Sequence, residues 1–174
     1  MGGWCEPSFT TASIRRERYE RGYTTGAARS MNADCLCGGV RIEITGKLGP
    51  VVHCHCSRCR KASGTAFATN ADVRRRYWTF LSGEDLIREF ESSPGVFRAF
   101  CTRCGSPLYS RRPDAPDVLR IRLGILNDDP QRRSLGHFFV GSKAPWFEIT
   151  DGLPQFAEGP AEHAQELATK PKSQ

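Results

Sequence analysis

The 174-residue sequence contains no apolar run approaching the ~20 residues that a membrane-spanning helix needs. Met1 to Met31 lacks both the apolar stretch of about seven residues and the small-residue cleavage pattern of a secretory leader. These absences predict a cytoplasmic chain with no membrane partner, whose thiols stay reduced. No segment repeats at a fixed period, which removes solenoid architectures. Neither common phosphate-cradling glycine loop occurs. Residues 1–32 have few aliphatics and carry the run Arg15-Arg16-Glu17-Arg18-Tyr19-Glu20-Arg21, so they can bury no face and predict a disordered tail. If translation starts at Met31, the upstream stretch is an extension without function. Residues 158–174 are again polar and predict a second tail. Between the tails, residues 33–157 have the length of one domain with one core.

That central stretch is rich in turn formers and short alternating runs. The chain holds 17 glycines and 11 prolines, which disfavours long helices. Val40-Arg41-Ile42-Glu43-Ile44, Val96-Phe97-Arg98-Ala99-Phe100 and Leu119-Arg120-Ile121-Arg122-Leu123 alternate with a period of two, the pattern of strands with one buried face. Gly38-Gly39, Gly49-Pro50, Ser93-Pro94-Gly95 and Asp128-Asp129-Pro130 supply turns. The fold class these patterns predict is mainly β. A formal charge of +6 and a pI near 9.0 fit an anionic partner, although scattered solvated arginines explain them more simply.

Seven of the eight cysteines form three groups: Cys35 with Cys37; Cys54, Cys56 and Cys59; and Cys101 with Cys104. Cys5 stands alone. Cysteines two or three positions apart can aim two sulfurs at one metal about 2.3 Å away, and thiolates in a tetrahedral arrangement suit zinc, with iron as the alternative. A structural zinc takes four ligands and a catalytic zinc commonly three, so the two pairs predict a closed site of Cys35, Cys37, Cys101 and Cys104. The triplet then predicts an open one. A rival reading completes the triplet with His53 or His55. In an extended chain these histidines point away from Cys54 and Cys56, which disfavours a shared metal unless the segment turns sharply. A third reading has the three thiols buried or redox-active without metal.

Cys35-Leu36-Cys37-Gly38-Gly39-Val40, His53-Cys54-His55-Cys56-Ser57-Arg58-Cys59-Arg60-Lys61, Gly64, Phe100-Cys101-Thr102-Arg103-Cys104-Gly105 and Ser142-Lys143-Ala144-Pro145-Trp146 together give the sequence a specific resemblance. From about Asp34 to Phe156 it resembles the glutathione-dependent formaldehyde-activating enzyme family, which also includes relatives of centromere protein V. The resemblance implies a small, zinc-stabilised, tent-like antiparallel β-sheet fold with two zinc ions, the two pairs structural and the triplet catalytic. It also implies carbon-sulfur lyase chemistry: a small thiol such as glutathione adds to formaldehyde or a related aldehyde, giving S-hydroxymethylglutathione in the named reaction.

On this reading the open position holds the substrate thiol as thiolate, the form that attacks an aldehyde carbon. Arg58, Arg60 and Lys61 are candidates to meet the carboxylates of the thiol substrate, and His55 or His53 to move a proton to the aldehyde oxygen. His137 and Lys143 are further candidates for the cleft, whereas Trp146 reads as core and Ser63-Gly64 as a turn. Two readings compete with catalysis. A zinc module for nucleic acid or chromatin draws on Arg74-Arg75-Arg76-Tyr77-Trp78, where basic and aromatic residues adjoin. A thiol-redox or metal-handling protein would use the triplet to exchange metal or electrons.

Overall fold

In a computed structural model that describes residues 30–159, the alternating runs become strands. In chain order these are β1 (Met31–Asp34), β2 (Arg41–Ile44), β3 (Val51–Cys54), β4 (Ala68–Arg74), β5 (Trp78–Ser82), β6 (Ile87–Ser93), β7 (Val96–Cys101), β8 (Pro107–Arg111), β9 (Val118–Arg122), β10 (Ser134–Phe138) and β11 (Gln155–Phe156). One short α-helix, α1 (Ser57–Ser63), follows β3. The domain is mainly β, in line with the alternation. β1 takes in Met31 and Asn32, which the sequence assigns to the tail; Met31 is buried and pairs with Ile44. Cys5 and the remaining tail residues lie outside the described residues.

The strands form two sheets. A three-stranded sheet runs β1-β2-β5, and an eight-stranded sheet runs β11-β10-β3-β4-β9-β8-β7-β6. The second sheet departs from a purely antiparallel arrangement, because β10 pairs parallel with both β3 and β11. A parallel pair needs a long crossover, and this one carries most of the domain between its two strands.

Period-two alternation decides which residues face where. Ile42 and Ile44 on β2, Ala71 and Val73 on β4, and Leu119 and Ile121 on β9 meet in one apolar cluster that joins the sheets, all 2% exposed or less. Their neighbours point to the opposite face of the large sheet. There Val52, Cys54, Asn70, Asp72, Arg98, Arg120 and Arg122 line a cavity of about 270 Å³. One face of the large sheet thus holds the domain together and the other lines the cavity.

Candidate metal centres and the cationic cavity

Two tight turns build the first sulfur cluster. Cys35, Leu36 and Cys37 leave β1, and Gly38 closes the turn at φ 67°, a left-handed value that a side chain would strain. Cys101 ends β7, and Gly105 closes the second turn at φ 74° while its N–H donates to Cys101 O. The sulfurs of Cys35, Cys37, Cys101 and Cys104 all lie within 4.8 Å of one another. Cys35 Sγ and Cys37 Sγ are 3.5 Å apart, and Cys37 Sγ and Cys101 Sγ 4.0 Å. Tetrahedral zinc with Zn–S bonds near 2.3 Å sets sulfurs about 3.8 Å apart, so the four donors fit that ion. A hydrogen bond from Gly39 N–H would favour the Cys37 thiolate, yet desolvation and its three sulfur neighbours push its pKa up to about 11. A divalent cation removes that conflict.

The second cluster lies at one end of the cavity. Cys54 ends β3, Cys56 caps α1 by accepting the Cys59 N–H at 3.3 Å, and Cys59 sits in the first turn of the helix. Their three sulfurs lie within 4.8 Å of one another, and no histidine or carboxylate joins the group among the described residues. Cys56 and Cys59 press the Cys54 thiol far upward, while hydrogen bonds from Cys54 and Cys56 hold Cys59 down to about 2. The pattern is one ionised sulfur accepting hydrogen bonds from two protonated ones, and a bound cation would hold all three as thiolates.

Arginine dominates the rest of the cavity. Arg98 Nη2 reaches Cys59 Sγ at 3.7 Å and its Nε donates to Ser92 Oγ at 2.8 Å. Arg120 pairs with Asp72 at 2.8 Å, and Arg111 with Glu89 at 2.8 Å. Arg122, 5% exposed, donates through Nη1 to Asn70 Oδ1, and its Nε has no partner. Burial pushes the Arg122 pKa down to about 10, against the pull of Cys59. Asn70 Nδ2 donates to Ala68 O at 3.1 Å, which turns the amide oxygen toward Arg122.

His53, His55 and His137 lie on the other face of β3. His53 Nδ1 meets Thr69 Oγ1 at 2.9 Å. Asp151 contacts His137 Nε2 at 3.0 Å, and His137 Nδ1 contacts His55 Nε2 at 2.8 Å. His55 Nδ1 is buried without a hydrogen-bond partner among the described residues. Burial, then His137, hold the His55 pKa down to about 4. Phe67 and Phe147 pack on its ring.

The residues singled out in the sequence are therefore spread over both faces. Arg58 is exposed at the cavity mouth. Arg60 Nε instead donates to His55 O at 3.2 Å, and Lys61 is exposed; neither lines the cavity. Lys143 donates to the carbonyls of Ala144 and Phe147, outside the cavity lining. Trp146, read as core, is 70% exposed, because Ala144 and Phe147 take the inward positions of its segment. In the basic run, Trp78 turns inward onto Phe80 and Tyr109, and Arg76 stacks on Tyr77. The sequence reading missed Arg98, Arg120 and Arg122 as cavity residues. Their polar positions in alternating strands were the available signal, but alternation does not say whether the polar face meets water or a cleft.

Comparison with known proteins identifies the family. The family model described as glutathione-dependent formaldehyde-activating enzyme matches residues 30–142, a stretch that includes all seven clustered cysteines. A Halomonas elongata protein provisionally named as such an enzyme is 30% identical over 127 residues, covering 68% of this chain and 80% of its own length. Similarly named proteins of Fusarium vanettenii and Aspergillus flavus are each 28% identical, and the chain spans about half of their length (50% in both). A crystal structure of a Rhodobacter sphaeroides protein superposes with a TM-score of 0.49 at 24% identity, over 57% of this chain and 90% of that one. The cysteine clusters and the matched span lead to one assignment: the chain belongs to the glutathione-dependent formaldehyde-activating enzyme family.

Proposed function

We propose that this protein is a zinc-dependent carbon-sulfur lyase acting in the synthetic direction, joining a small thiol to a small aldehyde. Cys35, Cys37, Cys101 and Cys104 hold a structural zinc, and Cys54, Cys56 and Cys59 a catalytic one. The observation that carries this reading is the triplet itself: three sulfurs poised for one ion, no fourth protein donor among the described residues, and a cavity in front of them. A zinc ion there supplies an open position at which a substrate thiol is held as thiolate.

The protein's own residues supply the rest. Arg98 donates toward Cys59, which lowers the negative charge that three thiolates place around the ion and orients that ligand. As the sulfur attacks the carbonyl carbon, the C=O π pair moves onto oxygen. The Arg98 guanidinium, which lines the cavity, stabilises that oxyanion. The proton given up by the thiol is returned from solvent to the oxygen, so the hemithioacetal forms with no by-product and no change of redox state. His55 lies behind the ligand strand, and we assign it to holding the Cys54–Cys56 segment through His137 and Asp151. Glutathione with formaldehyde is the first substrate pair to try, in a reducing buffer that matches the cytoplasmic setting we infer. The test is the rate of formaldehyde loss with glutathione, beside zinc content, for the unmodified chain and Cys56→Ser. Loss of acceleration and of one zinc together supports the reading; unchanged acceleration in the variant overturns it.

A further inference from the structure

Arg122 is a buried cation with no anion bonded to it. Of the other arginines at the cavity, Arg120 has Asp72, Arg111 has Glu89, and Arg98 donates to the Cys59 sulfur. Arg122 has only the neutral amide oxygen of Asn70, and its Nε stays buried without a hydrogen bond. Removing a guanidinium from water costs several kcal/mol unless a counter-charge with hydrogen bonds replaces the solvent. The Asn70 amide is itself fixed by Ala68 O, so the arrangement is held open and does not collapse onto another side chain.

Among the described residues the Cys59 sulfur attracts this charge but no anion is hydrogen-bonded to it, and its position limits what can bond there. Arg122 on β9 faces Asn70 on β4, and β3 with Cys54 is the next strand. Two strand spacings are about 10 Å at the backbone, a gap that the arginine side chain crosses in part. Arg122 and the three cysteines line the same cavity, whose about 270 Å³ lies just under the ~300–1,000 Å³ that encloses drug-sized ligands. A planar guanidinium is shaped for a carboxylate.

We propose that Arg122, held by Asn70, is a carboxylate-binding subsite on the cavity floor, so that one reactant carries a carboxylate only a short way from its reacting sulfur or carbonyl carbon. The inference rests on the thiol-addition reading for what reacts, and adds which substrates are preferred: short mercapto acids or oxo acids. Arg58 and Arg112 at the mouth face solvent and are left to contact whatever extends outward.

Binding to the zinc-loaded full chain tests the subsite before any turnover. Mercaptoacetate is compared with 2-mercaptoethanol and glyoxylate with glycolaldehyde by calorimetric titration, with zinc content measured after each run. We expect at least one acid to bind roughly ten- to a hundredfold more tightly than its neutral partner, the loss of a charge-assisted hydrogen bond in reverse. Which pair responds identifies the reactant that brings the carboxylate. Arg122→Gln should remove the preference with neutral binding and zinc content unchanged, and Arg122→Lys should keep part of it. The unmodified protein alone decides if the variants do not fold. Equal binding of both acids and their neutral partners overturns the subsite, as does a preference that survives in Arg122→Gln. Tight acid binding without aldehyde consumption would support the subsite and remove the lyase reading. Equal turnover of acid and neutral pairs, without binding preference, would do the opposite.

Discussion

Arg98 and Cys101 lie three residues apart on β7 and therefore point to opposite faces of the sheet, Arg98 toward the Cys59 sulfur and Cys101 into the four-cysteine cluster. A single strand thus touches both candidate metal centres. Replacing Arg98 by Met keeps much of the side-chain volume and removes the donor to Cys59. Metal at the triplet should then be held about ten- to a hundredfold more weakly, while the four-cysteine site keeps its ion. Competition with a chelator, followed as two phases of zinc release, checks this; an unchanged weaker phase would contradict it.

Cys101→Ser should act on the whole domain. The cluster it belongs to ties the turn after β1 to the turn after β7, and a structural zinc can supply on the order of 10 kcal/mol of folding free energy. We expect loss of one zinc and of the cooperative melting transition. A folded variant with unchanged metal content would reject the structural assignment.

Cys56→Ser should be local by comparison. Serine is among the preferred helix N-caps, so its Oγ can replace the sulfur as acceptor for Cys59 N–H and retain the ~1 kcal/mol that such a cap contributes. Zinc should fall toward one per chain with the β-sheet circular dichroism intact. In the cobalt-substituted unmodified protein, added glutathione should change the sulfur-to-metal absorption more strongly as pH rises toward the thiol pKa, and Cys56→Ser should abolish that change.

The Asp151 carboxyl is held below its ordinary value first by the Leu153 N–H and then by His137. A carboxylate with a lowered folded-state pKa contributes stability that is present above the unfolded value, about 3.9, and lost as pH falls through the folded one. Asp151→Asn should therefore melt at a lower temperature than the unmodified protein near neutral pH, with the difference shrinking below about pH 4. The effect should be modest, since the Asp151 side chain is 50% exposed. Melting curves at a series of pH values check the sign, and a difference that grows on acidification would contradict it.

Counting ligands was enough to divide the cysteines in the sequence, because the spacing within each group limits which sulfurs can share an ion. The strands β2, β7 and β9 were legible for a similar reason: their apolar positions repeat every second residue. Arg120 and Arg122 occupy the intervening positions of β9, and their destination depends on what covers that face, which only the order of the sheet decides. His137 and Asp151 illustrate the same limit. His137 was a candidate for the cleft but Asp151 was not, and the hydrogen bond between them depends on how the connection from β10 to β11 folds back. Trp146 shows that an aromatic residue beside proline carries little information on burial without its neighbours.

The parallel seat of β10 beside β3 also sets an order of events during synthesis. His55 and His137 are 82 residues apart, and Phe138 pairs with Cys54, so the strand that backs the triplet emerges from the ribosome long after the triplet itself. By then Cys104 has already been made, and the four-cysteine cluster can assemble while the other centre still lacks its C-terminal support. All three triplet sulfurs are thus made before the four-cysteine set is complete, and a chain released before β10 would contain every clustered cysteine yet lack the strand that backs the triplet.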